Sequence, residues 1–343
     1  MRVALIGAGR IFERHLSALE ELAQLASVIA VVEQRADRRT AVEEKGIRAF
    51  SSVEEMMACH GEEIDMFSVL TESGSHKDLS LELLQYGKPV LVEKPLTLSV
   101  RDANELVDAF NKLEIPLFVV KQNRLNPPVA RAFSDLKKGL LGELIFASAT
   151  VLWARHPEYY LADTWRLTRD QDGGVVWNQA SHYVDLLVQA LGTVESVFAY
   201  GANFLSPAET EDTVFAVLKS KSGAIGSLQA TTTIRPKNFE GSLILSGDGG
   251  LVKVGGHALN ETVAATNTAL EVDKEALESD SAEVYGKSHS RLYLDIFEDL
   301  EGKRDSGFRA ADAIQVVAVM EAIHLSINTK SEVLVREILE SAK

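Results

Sequence analysis

The chain has 343 residues, 46% of them hydrophobic, so it is long enough for two globular domains. Its formal charge of -15 at pH 7 repels polyanions, which disfavours a nucleic-acid partner. The single cysteine excludes an intramolecular disulfide, no residue spacing is typical of a metal site, and no stretch resembles a signal peptide or the roughly 20 apolar residues of a membrane span. We therefore expect a cytoplasmic protein without bound metal and without a membrane partner.

Short apolar runs alternate with amphipathic stretches from residue 1 to about 122. This alternation predicts a Rossmann domain, in which a parallel sheet carries helices on both faces. The predicted strands are "RVALIG", "VIAVVE", "DMFSVL", "PVLVEK" and "LFVVKQ", and the predicted helices cover 14–25, 35–45, 77–86 and 99–112.

After Pro127-Pro128 the pattern changes to longer β-rich runs separated by glycine turns. These runs predict an α+β C-terminal domain with a large, mainly antiparallel open sheet. Helices are expected over 129–138, 175–192 and 309–329, and the polar stretch 268–282 is interpreted as a surface excursion. The predicted domains are 1–122 for dinucleotide binding and 123–343 for substrate binding and oligomerisation.

The turn after the first strand, in "ALIGAGRIFERH", is typical of a dinucleotide-binding loop. Gly7 permits a tight turn, Gly9 lets the backbone approach a pyrophosphate, and Glu33 ends the second strand where a carboxylate accepts ribose hydroxyls. A carboxylate there repels a 2'-phosphate and so favours NAD over NADP, although Arg35 works against that preference. We expect an NAD site at this turn.

Phe12 stands where the dinucleotide-binding fingerprint has a small residue. We predict that its ring packs beside the cofactor or the domain interface and count Phe12 among the cofactor contacts; the alternative is that Phe12 is simply a core residue. In either case we expect a small displacement of the first helix that leaves the phosphate-binding amides in place. Arg10 and Ile11, in the same turn, are also predicted to contact the cofactor.

The segments "TESGSH" (71–76) and "VEKPL" (92–96) resemble signatures of the glucose-fructose oxidoreductase, inositol dehydrogenase and MocA (Gfo/Idh/MocA) family. The resemblance covers almost the whole chain. It implies that Lys94 projects toward both the nicotinamide ribose and the reacting hydroxyl, at the carboxyl end of a parallel strand where such sheets bind ligands. The further cofactor contacts that it implies are Thr71, His76, Glu93 and Gln122.

The segment "WNQASHYVDLL" places Asn178, His182 and Asp185 at spacings of four and three, on one face of the predicted helix. A lone histidine on such a helix is more often structural than catalytic. Family members, however, use a histidine at this place as acid/base, so the resemblance implies that role for His182. Many relatives carry aspartate where this chain has Asn178, and an amide there indicates substrate hydrogen bonding in a narrower subgroup.

Four stretches, 119–129, 151–166, 172–187 and 238–260, look like the WlbA-type UDP-N-acetylglucosaminuronic acid 3-dehydrogenases. The resemblance implies NAD-dependent oxidation of the sugar 3-hydroxyl on the way to surface polysaccharide. Arginine forks suit a carboxylate or diphosphate, and aromatic rings suit a sugar or uracil face. With Lys94, the predicted substrate contacts are Arg124, Asn126, Arg155, Tyr160, Trp165, Arg166, Asn178, Gln179, His182, Tyr285 and His289.

Some residues depart from the family pattern, and other functions stay open. Glu72 stands where relatives usually carry proline, and Leu167 stands where glycine is common. The alternatives are a dehydrogenase or ketoreductase of another cyclic polyol or nucleotide sugar, and a non-catalytic sugar- or dinucleotide-binding homologue. The apolar face of the C-terminal sheet needs a cover, so we expect a homodimer or homotetramer.

Overall fold

The computed structural model describes residues 1–256, 258–266 and 288–342. The chain folds into two compact units. The predicted boundary at residue 122 lies close to a division at 120, but residues 289–313 belong to the first unit and not, as predicted, to the second. The first unit contains Met1–Thr97, Arg101–Val120 and His289–Ala313, and the second contains Leu98–Val100, Lys121–Ser288 and Ile314–Lys343.

The first unit is built on a parallel sheet of six strands. These are β1 (Arg2–Ile6), β2 (Ser27–Val32), β3 (Arg48–Phe50), β4 (Met66–Val69), β5 (Val90–Val92) and β6 (Leu117–Val119). Their order, β3-β2-β1-β4-β5-β6, is the doubly wound order of dinucleotide-binding domains. The chain reverses its direction of travel across the sheet between β1 and β4, so a ligand crevice is expected at the carboxyl ends of these two strands.

Helices cover both faces of this sheet, which is why its strands are apolar without alternation. Val3, Ala4 and Leu5 of β1 have no exposed surface. The short strand β3 and the helix after it were not predicted, because three residues are too few to show a period. The helices are α1 (Phe12–Glu21), α2 (Ala36–Glu43), α3 (Val53–His60), α4 (His76–Leu84) and α5 (Val100–Lys112).

The second unit is built on an eight-stranded sheet. Its strands are β7 (Leu144–Leu152), β8 (Val194–Ala202), β9 (Thr213–Ser220), β10 (Ile225–Thr231), β11 (Glu240–Gly247), β12 (Leu251–Gly255), β13 (Glu261–Ala265) and β14 (Val333–Leu334), in the order β13-β12-β11-β7-β10-β9-β8-β14. The β7–β10 pair is parallel and the other pairs are antiparallel. The predicted fold class, a Rossmann domain with a mainly antiparallel second sheet, is therefore confirmed.

One face of this second sheet is covered and the other is exposed. In β9, Val214, Ala216 and Leu218 are buried, whereas Phe215 and Val217 are each 53% exposed. The remaining helices are α6 (Pro127–Lys137), α7 (Pro157–Leu161), α8 (Arg169–Asp172), α9 (Ser181–Leu191), α10 (Ser288–Leu300), α11 (Ile314–Thr329) and α12 (Val335–Ser341). Helices α9 and α11 pack on the covered face, against β7 and β8 respectively.

The segment Ala310–Thr329 is, by length and composition, apolar enough to cross a membrane, contrary to the expectation that the chain has no such stretch. More than half of this apolar stretch, 56%, is buried inside the protein. Helix α11, which forms most of it, packs against β8 and α9. Burial in the core accounts for its apolar character.

The predicted helix over 175–192 was wrong in its first turn, because α9 begins only at Ser181. The preceding residues form turns in which the Ala180 N–H donates to the Val175 carbonyl at 2.8 Å, a spacing of five that an α-helix does not use. Asn178 therefore lies in the turn before the helix and does not share a helical face with His182.

Candidate active site

The turn after β1 has the shape that a dinucleotide requires. Gly7 adopts φ 105°, and a Cβ atom there would lie 3.0 Å from Thr71 Cγ2 and 3.1 Å from the Leu70 backbone. At Gly9, by contrast, a Cβ atom would have only Arg38 Nη1 within reach among the described residues, at 3.9 Å. The space in front of Gly9 is therefore open to the close approach of a pyrophosphate, and both glycines fit the bound cofactor.

The Glu33 carboxylate is held beside that turn, at the end of β2. It accepts the Ala8 N–H at 2.9 Å and the Arg35 N–H at 2.8 Å. A carboxylate has about four lone-pair sites, so these two bonds leave acceptor capacity for ribose hydroxyls. The Arg35 guanidinium pairs with Asp37 at 2.7 Å. This pairing weakens the argument that Arg35 favours NADP.

Phe12 is a core residue. It begins α1, its side chain is 3% exposed, and its N–H donates to the Gly9 carbonyl at 3.2 Å. Burial favours the packing interpretation over contact with the cofactor. In the same turn Arg10 is exposed and Ile11 is half-buried, and their cofactor contacts stay predictions.

His76 connects the loop after β4 with the loop after β5. Its Nδ1 lies 2.7 Å from the Pro95 carbonyl and its Nε2 lies 3.2 Å from the Thr71 carbonyl. Burial lowers the pKa of His76, and the hydrogen bonds to these two carbonyls act in the opposite direction. His76 thus holds the carbonyl of Pro95, which follows the partly exposed Lys94 through a cis peptide bond.

Lys77, five residues after Glu72 in the sequence, pairs with two acidic residues further along the chain. Its Nζ lies 2.8 Å from a carboxylate oxygen of Asp102 and 2.8 Å from one of Glu105. Glu72 itself is half-buried, and its carbonyl accepts hydrogen bonds from the N–H and hydroxyl of Ser75.

A chain of buried polar groups ends at the backbone of Lys94. The Tyr293 hydroxyl contacts Ser68 Oγ at 2.9 Å and His15 Nδ1 at 2.8 Å, and His15 Nε2 contacts the Glu93 carboxylate at 3.0 Å. The other Glu93 oxygen accepts the Lys94 N–H at 3.0 Å. Burial alone would raise the pKa of Glu93, but the hydrogen bond from His15 and the nearby positive charges lower it to about 2. Glu93 therefore carries a buried negative charge directly before Lys94.

His289, a predicted substrate contact, lies in the first unit against this chain of polar groups. It is buried, and its ring centroid is 5.1 Å from that of His15. The candidate ligand atoms of His15, Glu93 and His289 lie within 4.8 Å of one another, which would admit a metal ion. Both ring nitrogens of His15 already take part in hydrogen bonds, which account for the arrangement. Tyr285, the other contact predicted from this region, lies outside the described residues.

In the second unit, His182 stands in the first turn of α9 and is partly exposed. Its Nε2 lies 3.0 Å from the side-chain nitrogen of Gln122, which is 3% exposed. Gln122 was predicted to bind the cofactor. The structure places its side chain against the predicted acid/base residue.

Arg124, a predicted substrate contact, pairs with Asp185 one turn after His182. Arg124 Nε and Nη2 donate to the two carboxylate oxygens at 2.7 and 2.6 Å. This two-point contact holds the guanidinium plane. Two of the five donor hydrogens of Arg124 are used, so a role in binding an anion stays a prediction.

Asn178 has a buried acid as its neighbour. Its side-chain nitrogen donates to Asp172 and, at 3.3 Å, to the Tyr159 hydroxyl. The second carboxylate oxygen of Asp172 accepts the Gly174 N–H at 3.2 Å. An amide N–H group satisfies Asp172 where an aspartate at position 178 would place two carboxylates together. The structure thus gives a physical reason for the asparagine.

Tyr159 lies at the centre of a cluster of arginine and aromatic side chains. Arg155 lies 5.2 Å and Arg166 4.8 Å from its ring centroid, and Arg166 also lies 4.2 Å from that of Trp165. The Nε atoms of both arginines are buried without a hydrogen-bond partner among the described residues. Other nitrogens of both groups have internal partners, since Arg166 Nη1 pairs with Asp163 at 2.5 Å and Arg155 Nη1 donates to the Ala154 carbonyl at 2.7 Å. The unused Nε–H of each arginine suits an anion beside a planar ring.

Three other predicted substrate residues lie close to protein partners. Gln179 donates to the Tyr159 hydroxyl at 3.3 Å, and the Tyr160 hydroxyl contacts Thr232 Oγ1 at 2.9 Å. Asn126 donates to the Ala258 carbonyl and accepts from the Ser288 hydroxyl, so both ends of its amide are used inside the protein. For Asn126 the structure supports a structural role. The others stay predicted contacts.

Models of two protein families match the chain. Residues 1–121 match the oxidoreductase family with an NAD-binding Rossmann fold, GFO_IDH_MocA, and residues 130–253 match the GFO/IDH/MocA C-terminal domain. Curated relatives match over about half to two thirds of their own length. The myo-inositol 2-dehydrogenase of Thermotoga maritima, for example, is 27% identical over 66% of this chain and 67% of its own.

Two solved structures resemble the chain over nearly its whole length. The WlbA dehydrogenase from Bordetella pertussis, in complex with NADH and UDP-GlcNAcA, is 32% identical with a TM-score of 0.93 and coverage of 97% of both chains. The WlbA dehydrogenase from Chromobacterium violaceum, with the same two ligands, is 34% identical with a TM-score of 0.90, over 97% of this chain and 95% of its own. Together with the glycine turn and Glu33, these matches show that the chain belongs to the GFO/IDH/MocA family and is an NAD-dependent oxidoreductase.

Proposed function

We propose that the protein oxidises the 3-hydroxyl of UDP-N-acetylglucosaminuronic acid to a ketone, with NAD as the oxidant. The observation that carries the proposal is the cluster around Tyr159, where buried arginine N–H groups have no partner among the described residues. A sugar linked to a diphosphate and bearing a carboxylate supplies negative oxygens for such donors, and its uracil and sugar rings suit the aromatic faces. The two WlbA enzymes, whose structures hold this nucleotide sugar, support the same substrate.

His182 is proposed as the base of the reaction. A neutral imidazole accepts the proton of the sugar hydroxyl while the hydrogen on the same carbon leaves as hydride, so the carbon–oxygen single bond becomes a carbonyl. NAD, when bound, supplies the hydride acceptor. Lys94 is proposed to orient the hydroxyl and to stabilise negative charge on its oxygen, and the buried Glu93 carboxylate holds the Lys94 backbone.

Other substrates are distinguished by their charge. A cyclic polyol such as inositol, the substrate named for the Thermotoga maritima relative, lacks the negative groups that the Tyr159 cluster suits. The carboxylate requirement is tested by comparing UDP-N-acetylglucosaminuronic acid, UDP-N-acetylglucosamine and myo-inositol at equal concentration, with NADH absorbance as the readout. The uronic acid should be oxidised fastest. A clear preference for inositol would overturn the substrate assignment, and binding of NAD without any turnover would favour the non-catalytic homologue.

The exposed face of the second sheet is proposed to bind a second copy of the chain. Phe215 and Val217 of β9 and Ile225 of β10 are each more than half exposed, on neighbouring strands. A contiguous apolar face of this kind is commonly covered by a symmetry mate. Light scattering should give a dimer or tetramer that Phe215→Glu converts to monomer.

The proposed reaction takes place in the cytoplasm, as a step in nucleotide-sugar synthesis for surface polysaccharide.

A further inference from the structure

Gln122 contacts the imidazole that the reaction is proposed to use, although the sequence pattern assigned it to the cofactor. Its side-chain nitrogen lies 3.0 Å from His182 Nε2, and both residues belong to the second unit. The Gln122 side chain is 3% exposed, so its end of the contact is buried, whereas the His182 ring is partly exposed. A hydrogen bond to a titrating ring fixes the position of that ring and affects its proton affinity.

The other end of the same amide is unused. Gln122 Oε1 is buried and has no hydrogen-bond partner among the residues that the structure describes. An amide has an N–H donor at one end and a carbonyl acceptor at the other, and rotation by half a turn exchanges them within the same volume. Oε1 is thus an acceptor that this rotation would bring to His182 Nε2.

We propose that Gln122 is a positioning residue that holds the Nε2 edge of His182 in both protonation states of the ring. In the neutral ring that acts as base, Nε2 carries the hydrogen and donates it to Oε1 of the turned amide, so the lone pair lies on Nδ1. After Nδ1 takes up the proton of the sugar hydroxyl, the same hydrogen bond from Nε2–H to Oε1 holds the imidazolium. Because Gln122 covers Nε2, the proton of the sugar hydroxyl is exchanged at the other ring nitrogen, Nδ1. The inference rests on the proposed role of His182.

Glutamine is suited to this position because it does not bias the ring toward one state. A glutamate there would stabilise the charged imidazolium and would weaken His182 as a hydrogen-bond acceptor for substrate at neutral pH. An apolar side chain would leave Nε2 unsatisfied in a partly buried contact. The charged groups next to Gln122 in the sequence are Lys121 and Arg124, and the charged group on α9 is Asp185. Arg124 and Asp185 pair with each other at 2.6 Å. Asp172, a further charged group of this region, is hydrogen-bonded to Asn178.

The test is a pH titration of the histidine ring nitrogens by NMR in the ligand-free enzyme, with His182 assigned from the His182→Asn variant. Gln122→Glu should raise the measured pKa of His182 by at least about one pH unit, because an opposite charge then lies within a hydrogen bond of Nε2. The matched control is Asn123→Asp, which adds the same charge one residue along the chain and should shift that pKa far less. Equal shifts in the two variants would overturn the proposal.

Kinetics give a second measurement that does not depend on a buried charge. Gln122→Met keeps the length of the side chain and removes the hydrogen bond. It should lower kcat by up to about a hundredfold through misplacement of the ring, with NAD affinity unchanged. Weaker NAD binding with an unchanged His182 titration would instead show that Gln122 is a cofactor contact. The NMR titration needs no substrate, so it stays informative even if the proposed sugar is not oxidised.

Discussion

Asn178, four residues before His182, donates its side-chain N–H to the buried carboxylate of Asp172. The residue at 178 is an amide because its neighbour is already an acid. The same Asp172 accepts the Gly174 N–H, so it also closes the turn that leads into α9. One buried carboxylate thus shapes the chain on the approach to the proposed base.

Asn178→Asp should destabilise the protein at neutral pH. The substitution removes a hydrogen bond to a charged group and places two carboxylates next to each other. The free energy of unfolding should fall by about 2 kcal/mol. One of the two pKa values is then raised, so the deficit should shrink as the pH falls and that group takes up a proton. Urea unfolding at neutral and mildly acidic pH measures it. The exchanged pair, Asp172→Asn with Asn178→Asp, should recover most of the loss, and a double variant no better than Asn178→Asp would contradict the account.

The two glycines of the first turn should respond differently to alanine. Gly7→Ala meets Thr71 and the Leu70 backbone at a positive φ, so it should lower both stability, by about 1–2 kcal/mol, and NAD affinity. Gly9→Ala has room within the protein and should leave the melting temperature unchanged while weakening NAD binding, since the new methyl group occupies the space for the pyrophosphate. Calorimetric titration with NAD and thermal melts separate the two. Unchanged NAD affinity in Gly9→Ala would show that the cofactor does not approach there.

Glu93 should stabilise the protein in a defined pH range. Its pKa falls from an ordinary value of 4.5 to about 2 on folding, so its contribution is present above pH 4.5 and is lost as the pH falls through about 2. A pKa shift of this size corresponds to about 3 kcal/mol in the free energy of unfolding. Glu93→Gln should therefore be less stable than the parent at neutral pH, and the difference should narrow in acid. The free energy of urea unfolding measures this, and a difference independent of pH would mean that Glu93 is not ionised in the fold.

Arg166→Met should weaken the binding of an acidic nucleotide sugar without affecting the cofactor. Loss of a charged hydrogen bond of about 1.5–3 kcal/mol corresponds to roughly a tenfold to hundredfold rise in KM for the sugar. The exposed Arg169, three residues away in sequence, supplies the matched control, Arg169→Met, which should change KM little. Steady-state kinetics with each substrate varied in turn gives both values. Equal effects of the two variants would remove the Tyr159 cluster from the substrate site.

The first unit was largely predictable from its sequence because its signals are local. Apolar runs mark the strands, and the spacing of Gly7, Gly9 and Glu33 follows from the contacts of one ligand. The structure adds what depends on distant residues. His15 and Tyr293, for instance, are 278 positions apart yet hydrogen-bonded, and no local pattern in the sequence signals that pair.

In the second unit, residue types were easier to predict than their partners. The cluster of arginine and aromatic residues was recognised, but Tyr160 was chosen where the structure puts Tyr159 at the centre. Both are tyrosines on one short helix, and only packing decides which ring faces the arginines. The helix was predicted to start too early because the apolar run 175–177 precedes it. Gly173 and Gly174 adopt positive φ values that redirect the chain there.

Transfer of deuterium from C3 of the sugar tests the central claim most directly. UDP-N-acetylglucosaminuronic acid labelled with deuterium at C3 is mixed with enzyme and NAD, and the reduced cofactor is analysed by mass spectrometry, with His182→Asn as the control. The account predicts one deuterium on the nicotinamide ring for each 3-keto sugar formed, and a large loss of rate in the control. Reduced cofactor without deuterium, or no reduction with this sugar while an uncharged polyol is oxidised, would contradict it.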